Sequence, residues 1–278
     1  MSKKGIVLTS YNRPNSLKEC LKNIYKSNLS ADYTLIIVQQ DITAEIQNII
    51  NQFNSERIVI INTSYPKDWS AYKKMTINGF KGFEHCFETL KCDVGFYLED
   101  DIIVSYDFFV FCEVILNKYK KDRNFFAVNG FSKEPFDDNK KLLYSKFIFG
   151  IGKGWAINSD KWKIIKDLWN DKFINSKNPE YDYPIENYIK QNFFYVVMPI
   201  CSRTYEIMGD GVSIKKENTK YFLDFKKSFT QIINKDYKFK FSFFSKYTWR
   251  KDCKKYKGKL LSYPMKMLFD FKKFLKKL

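Results

Sequence analysis

The chain has 278 residues, a formal net charge of +17 and an aromatic content of 18%. This length allows either one large α/β domain or a domain with an appendage, and no apolar stretch is long enough to span a bilayer. Six cysteines without a CxxC pair, together with one histidine, argue against a zinc site and favour a reduced, cytoplasmic protein without a signal peptide.

The charge is concentrated at one end of the chain. Residues 214–278 contain 20 Lys or Arg and 5 Asp or Glu, which gives a net charge of +15. The preceding 213 residues contain 28 basic and 26 acidic residues, a net charge of +2. The pattern indicates a near-neutral body followed by a strongly basic tail.

Strands and helices alternate along the first hundred residues. Apolar, β-prone runs predict strands at residues 6–8, 35–38, 58–61 and 94–98. Helices are predicted at residues 17–25, 43–53 and about 70–90, the first with a capping box formed by Ser16 and Glu19. This alternation is typical of a parallel sheet with helices on both faces. In such sheets ligands bind beyond the carboxyl ends of the strands, where Arg13, Asp41 and Asp101 all fall.

Three carboxylates, Glu99-Asp100-Asp101, directly follow the fourth of these strands. Apolar residues flank them on both sides, at 94–98 and at 102–104. Adjacent carboxylates in apolar surroundings repel one another and lose hydration unless a cation compensates them. A hard divalent ion prefers oxygen ligands, so the triplet predicts a cation site that in turn holds a phosphate. An acidic turn beside a surface helix is the alternative.

Further short strands at residues 125–128 and 194–197, with a helix near 159–169, complete the predicted body by about residue 213. Six segments in chain order then resemble the inverting N-acetylglucosaminyltransferase I-like glycosyltransferases. They are VLTSYNR (7–13), IIVQQD (36–41), EDD (99–101) with DFF (107–109), GKGW (152–155), MPICSRT (198–204) and GDGVS (209–213). The resemblance spans about residues 5–222. It implies an α/β, GT-A type nucleotide-sugar-binding domain over residues 1–221, with a mostly parallel sheet, and leaves 222–278 as a basic helical extension.

The resemblance also implies roles for individual residues. Asp101 would be the direct protein ligand of Mn²⁺ or Mg²⁺, while Glu99 and Asp100 would contact the sugar and ribose or orient the metal site. Four further residues would bind the donor: Arg13 at the uracil or phosphate, Asp41 at the uracil N–H, Trp155 at the sugar or acceptor, and Ser213 in the closing segment. A surface ion pair for Arg13, a helix N-cap for Asp41 and core packing for Trp155 are the alternatives.

Inversion in one displacement requires a base on the face opposite the leaving group. Asp182 precedes Pro199 by 17 residues, the offset that the resemblance gives for the catalytic aspartate. Its neighbours are Tyr181 and Tyr183, where the family has tryptophans. Glu186 follows one helical turn later and is the alternative base.

The tail combines an apolar helix face with clustered lysines. Leu268, Phe271, Leu275 and Leu278 line the face of a predicted helix, and five lysines cluster away from it. This is typical of a helix on an anionic membrane surface, which would place the protein peripherally on the inner face of the cell membrane. A basic helix docked on its own domain is the alternative. Nucleic-acid binding is disfavoured because the acidic site predicts a nucleotide-sugar enzyme.

Two hypotheses follow from the sequence. In the first, the protein is a metal-dependent inverting glycosyltransferase that moves a sugar, GlcNAc or a related hexose, from a UDP-sugar to a glycan or lipid-linked acceptor hydroxyl. In the second, it is a non-catalytic membrane- or nucleic-acid-binding protein that retains the fold. Metal and UDP binding at the triplet separates the two hypotheses.

Overall fold

The computed structural model describes residues 2–27, 32–53, 56–132, 137–148, 150–176, 179–207 and 238–242. The strands are β1 (Lys4–Tyr11), β2 (Tyr33–Gln40), β3 (Ile58–Thr63), β4 (Val94–Glu99), β5 (Ile102–Val104), β6 (Phe125–Asn129), β7 (Leu143–Phe147), β8 (Trp155–Asn158), β9 (Tyr195–Pro199), β10 (Thr204–Glu206) and β11 (Lys240–Phe241). The α-helices are α1 (Pro14–Lys26), α2 (Ala44–Asn51), α3 (Ala71–Glu84), α4 (Phe108–Tyr119), α5 (Trp162–Leu168), α6 (Asp171–Ile174) and α7 (Asp182–Gln191).

Nine of these strands form one mixed sheet, in the order β11-β7-β9-β6-β8-β4-β1-β2-β3. The four strands β3, β2, β1 and β4 run parallel, with Val7 of β1 opposite Ile36 on one side and Tyr97 on the other. Strand β8 runs antiparallel to both β4 and β6, and β7 runs antiparallel to β9. The predicted α/β class with a mostly parallel sheet is confirmed, and each antiparallel pair in this sheet includes β7 or β8.

Helices cover both faces of the sheet because successive strand residues point to opposite sides. Ile6 and Leu8 of β1 lie in one core with α1, α2 and α4, whereas Val7 lies in the other core with α3, α5 and α7. All three side chains are fully buried. Each contributes about 1.5–3 kcal/mol of burial free energy, so the two-sided core stabilises the parallel half of the sheet.

The helix starts follow local capping chemistry, with one departure from the sequence prediction. Thr43 and Ser70 cap α2 and α3, each accepting a hydrogen bond from a backbone N–H of the first turn. The capping box predicted at Ser16 is wrong, because α1 begins at Pro14 and Ser16 lies inside its first turn. Proline suits this first helical position because its missing N–H would have had no intrahelical partner there.

The segment between α3 and β4 continues the helix predicted to about residue 90. A π-helical turn, His85–Thr89, extends α3 before the chain enters β4. Every residue of β4 except the last is buried, which fits a strand covered on both faces.

A short part of the predicted C-terminal extension belongs to the sheet. Strand β11 pairs in parallel with β7, and Phe239 packs edge-on against Phe111 of α4 with ring centroids 5.0 Å apart. The predicted terminal helix and the Leu268–Leu278 face lie outside the described residues, and the boundary at residues 221/222 stays a prediction. Among the described residues, no helix is both long and apolar enough to cross a membrane.

Candidate active site

A cleft of about 710 Å³ opens at the carboxyl ends of β1, β2 and β4. Tyr11 and Gln40, the last residues of β1 and β2, line it, and α3 forms the facing wall with Tyr72 and Asn78. Glu99 and Asp101 line its end at β4. The cleft therefore lies at the edge of the sheet where the sequence predicted a ligand.

The turn after β1 brings Arg13 to the acidic triplet. Asn12 has a φ of 42°, a left-handed conformation that asparagine tolerates, and it turns the chain into α1. The Arg13 guanidinium then contacts both neighbouring aspartates, with Nη1 2.6 Å from Asp101 Oδ2 and Nη2 bound to Asp100 Oδ1. Arg13 and the triplet are thus brought together as the sequence predicted, and Arg13 forms ion pairs there.

Asp100 is the anchored member of the triplet. Its side chain is fully buried, and Oδ2 accepts hydrogen bonds from Ser10 Oγ at 2.9 Å and from the Tyr11 backbone N–H at 3.0 Å. Together with Arg13, these donors occupy both of its oxygens. Asp100 therefore holds the turn between β4 and β5 against the end of β1.

Only one of the two carboxylate oxygens of Asp101 has a hydrogen-bond partner among the described residues. Oδ2 binds Arg13, whereas Oδ1 is buried and has no hydrogen-bond partner among the described residues. A buried carboxylate oxygen without a partner carries a desolvation cost that a bound cation removes. Asp101 Oδ1 thus fits the position of a metal ligand.

The raised pKa values of Glu99 and Asp100 show that their charged forms lack electrostatic stabilisation, which a cation would supply. Burial and the charge of Asp101 raise the pKa of Glu99 to about 8, and burial raises the pKa of Asp100 to about 6 although Arg13 opposes the shift. These carboxyl groups hold protons more tightly than exposed ones because their negative charges are desolvated and close together. A divalent ion would reverse that penalty and favour the ionised forms.

A metal ion at Asp101 would have few protein ligands. Within the described part of the chain, no group of three or more His, Cys, Asp or Glu side chains is arranged to hold a metal ion. A single aspartate oxygen nevertheless suits Mn²⁺ or Mg²⁺, which are commonly held by one or two carboxylates together with water and substrate phosphates. The donor set of Asp101 therefore fits an ion that binds together with a diphosphate.

Both candidate bases lie on α7, but their surroundings differ. Asp182 is the first residue of the helix, and burial followed by the charge of Glu186 raises the pKa of Asp182 to about 6. Glu186 accepts a hydrogen bond from the Gly150 backbone N–H at 3.1 Å through Oε1 and pairs with Lys190 at 3.2 Å through Oε2. Both oxygens of Glu186 are thus engaged in holding the structure.

Tyr181 connects the start of α7 to the triplet. Its hydroxyl donates a hydrogen bond to Glu99 Oε1 at 2.9 Å, and its ring lies 5.2 Å from that of Tyr97. The charges of Glu99 and Asp182 both contribute to a raised pKa of the buried Tyr97 hydroxyl, after burial itself. Asp182 thus follows a residue that binds the triplet, although Asp182 itself is not among the residues that line the cleft.

The remaining predicted site residues take different positions. Asp41 follows β2 as an exposed residue with a φ of 49°; Thr43, not Asp41, caps α2. Trp155 is fully buried and packs against Phe83 and Tyr97 with centroid distances of 5.2 and 5.6 Å, so it lies in the core beneath the cleft. Ser213 and the GDGVS segment lie outside the described residues.

Glu206 is a cleft residue that the sequence reasoning missed. Strand β10 pairs antiparallel with β5, which places Glu206 opposite Ile102 and beside the triplet. Its carboxylate pairs with Lys153 of the GKGW segment at 2.7 Å. Only its position two residues after MPICSRT could have pointed to it, because the pairing of β10 with β5 joins residues a hundred positions apart.

Together these features define an α/β protein with an acidic ligand cleft beyond the carboxyl ends of its parallel strands. The sequence model of the GNT-I family matches residues 1–258, and the chain belongs to this family. The GT-A type resemblance read from the six segments is thereby confirmed.

Individual relatives are distant. An Arabidopsis thaliana alpha-1,3-mannosyl-glycoprotein 2-beta-N-acetylglucosaminyltransferase is 22% identical over 236 residues, which is 78% of this chain and 50% of that protein. The chain thus spans half the length of this curated relative. Among solved structures, the Pyrobaculum calidifontis mannosyltransferase PcManGT, in complex with GDP-Man and Mn²⁺, aligns over 71% of this chain and 55% of its own at 10% identity and a TM-score of 0.48. S. aureus TarS aligns over 82% of this chain and 44% of its own at 9% identity and a TM-score of 0.49.

Proposed function

We propose that the protein is an inverting, metal-dependent glycosyltransferase that uses a UDP-sugar and a glycan or lipid-linked glycan acceptor. The observation that carries the proposal is the buried Oδ1 of Asp101, a cleft residue, because this oxygen has no hydrogen-bond partner within the described part of the chain. Membership of the GNT-I family supports the same reaction class.

The leaving group of such a reaction is a diphosphate, whose negative charge must be stabilised. A divalent ion held by Asp101 would neutralise that charge and so stabilise the transition state. Asp100, fixed by Ser10, Tyr11 and Arg13, keeps the turn that carries Asp101 in place. Asp41 at the end of β2 is our candidate for the uracil N–H, and Glu99 for a sugar hydroxyl.

Asp182 is the proposed general base. Its neighbour Tyr181 binds Glu99 of the triplet, and its own pKa is raised to about 6, which suits proton transfer near neutral pH. Glu186 is the weaker candidate because its two oxygens already bind Gly150 and Lys190. Asp182 would accept the proton of the acceptor hydroxyl as that oxygen attacks the sugar carbon opposite the diphosphate.

A panel of nucleotide sugars tests the proposal. Thermal shift and hydrolysis should be followed with UDP-, GDP- and CDP-sugars, each with Mn²⁺, with Mg²⁺ and with EDTA. We expect UDP-sugars to raise the melting temperature only when a divalent ion is present, and hydrolysis to accompany that stabilisation. Binding without hydrolysis or transfer for any donor would favour the non-catalytic alternative, and no nucleotide binding would contradict the proposal.

A further inference from the structure

Arg13 neutralises the part of the cleft where the metal ion is expected. Its guanidinium binds both buried aspartates of the triplet, at Asp101 Oδ2 and Asp100 Oδ1. The Asp100 side chain is fully buried and that of Asp101 is 10% exposed, whereas that of Arg13 is 26% exposed. Burial lowers and the neighbouring carboxylates raise the pKa of Arg13, which stays fully cationic.

The two aspartates differ in how many hydrogen-bond partners they have besides Arg13. Asp100 has two further donors, Ser10 Oγ and the Tyr11 N–H, which both bind Oδ2, so only its Oδ1 depends on Arg13. Asp101 has Arg13 on one oxygen, and its other oxygen has no hydrogen-bond partner in the described residues. A metal ion at Oδ1 would therefore bind a carboxylate that already carries a guanidinium on Oδ2.

The charge balance follows directly. Two aspartates contribute −2 and Arg13 contributes +1, so the group carries −1 before a metal ion arrives. A divalent ion at Oδ1 changes the sum over these three side chains to +1 and places two cations on one carboxylate, where they repel each other through the low effective dielectric constant of a partly buried site. A diphosphate that binds both cations removes this excess positive charge.

We propose that Arg13 couples metal binding to nucleotide binding. It acts as a positioning residue and internal counter-cation: it weakens the binding of free Mn²⁺ to Asp101, and the diphosphate restores that binding by compensating both positive charges. This inference rests on the proposed function, and it assigns Arg13 a role distinct from recognition of uracil. By linkage, Mn²⁺ and UDP strengthen each other's binding by the same factor.

Arg13→Gln tests the coupling in the full-length protein. Free Mn²⁺ is counted by electron paramagnetic resonance in titrations with and without UDP, which gives the Mn²⁺ affinity in each state. We expect Arg13→Gln to bind Mn²⁺ alone at least tenfold more tightly than wild type, and the strengthening of Mn²⁺ binding by UDP to fall at least tenfold. Arg13→Lys, which keeps the charge, should stay close to wild type in both measurements.

Lys74→Gln is the matched control. Lys74 lines the same cleft from α3, so its removal takes away the same formal charge without touching the triplet. We expect its Mn²⁺ affinity without UDP to change by less than threefold. Unchanged or weaker binding of free Mn²⁺ by Arg13→Gln, with loss of UDP affinity, would overturn the inference and make Arg13 a nucleotide ligand. If wild type bound no Mn²⁺ even with UDP, the proposed function would fail instead.

Discussion

At the scale of single residues, the chemistry of the site depends on which carboxyl groups are free and which are engaged. Glu186 and Asp100 have both oxygens occupied by neighbours, while Asp101 retains an unpartnered oxygen. Asp182 has a pKa raised by burial and by Glu186. On these differences we propose Asp101 as the metal ligand and Asp182 as the base.

The base assignment predicts a defined pH dependence. Asp182 must be ionised to accept a proton, and its pKa is about 6, so transfer should fall about tenfold per pH unit below about pH 6. Asp182→Asn should lower transfer at pH 7.5 by about 10²–10⁴-fold while nucleotide affinity stays near wild type. Steady-state kinetics and calorimetry measure the two quantities.

Two companion variants check this assignment. Asp182→Glu keeps a carboxylate and should retain more transfer than Asp182→Asn. Glu186→Gln should keep an acidic limb in the pH profile but move it to lower pH, because the charge of Glu186 helps to raise the pKa of Asp182. If Asp182→Asn kept its activity while Glu186→Gln lost it, the base would be Glu186.

At the residue level, the sequence could indicate positions that a short local pattern defines. The triplet is recognisable from its apolar flanks, and a cation site there stays a prediction. The structure pairs Arg13 with Asp100 and Asp101, which corresponds to the ion-pair alternative for Arg13. Trp155 and Glu206 were not predictable in this way. Burial of Trp155 depends on Phe83 and Tyr97 from other elements, and the place of Glu206 depends on the β5–β10 pairing.

At the scale of secondary-structure elements, Arg203 explains part of the MPICSRT motif. Its side chain is fully buried, and Nε binds Asp107 Oδ2 at 3.1 Å. The guanidinium also donates hydrogen bonds to the Cys201 and Lys141 carbonyl oxygens and stacks on Phe111 with its carbon 4.4 Å from the ring centroid. One residue thus joins β10 and the start of α4 behind the cleft.

Loss of this ion pair should destabilise the whole fold. Arg203→Met leaves the buried Asp107 carboxylate without its cation, which costs about 3–5 kcal/mol in the free energy of unfolding measured with urea. The double variant Arg203→Met with Asp107→Asn should recover part of the loss. Lys166→Met, which breaks the exposed pair with Glu88, serves as the control and should unfold almost as wild type does. Equal losses for the two single variants would contradict this account.

The element order was predictable in its parallel half and less so beyond it. Apolar runs separated by helices indicated β1 to β4, since each run is local in sequence. Strands β7 and β8 are short, and β8 inserts antiparallel between β4 and β6. Such pairings depend on long-range contacts that a local apolar pattern does not contain.

At the scale of the whole molecule, the chain combines a near-neutral body with a basic tail. The GNT-I family match ends at residue 258, and the +15 net charge of residues 214–278 extends beyond it. Within the described residues 238–242, strand β11 pairs with β7 of the main sheet, so part of the predicted extension belongs structurally to the body. The membrane hypothesis depends on the predicted apolar face and the clustered lysines of the terminal residues 259–278, which lie outside the described residues.

A truncation after Gly258 tests the membrane hypothesis and preserves the matched region. The shortened protein should still bind UDP but should lose association with vesicles containing anionic lipid. Each lysine near an anionic surface contributes about 1 kcal/mol, and salt screens this attraction over a Debye length that falls from about 10 Å at 0.1 M to 3 Å at 1 M. Co-sedimentation at several salt concentrations decides the question. Equal pelleting of both proteins would leave residues 259–278 without a membrane role.

The central claim is that Asp101 holds a divalent ion that binds the diphosphate of a nucleotide sugar. Calorimetric titration of UDP into wild type and Asp101→Asn, each with Mn²⁺ and with EDTA, tests it most directly. The substitution keeps the shape of the side chain and removes its charge, so the melting temperature without ligand should stay near wild type. We predict that Mn²⁺ strengthens UDP binding in wild type and has no such effect in Asp101→Asn. A Mn²⁺-dependent UDP affinity that is the same in both proteins would contradict the account.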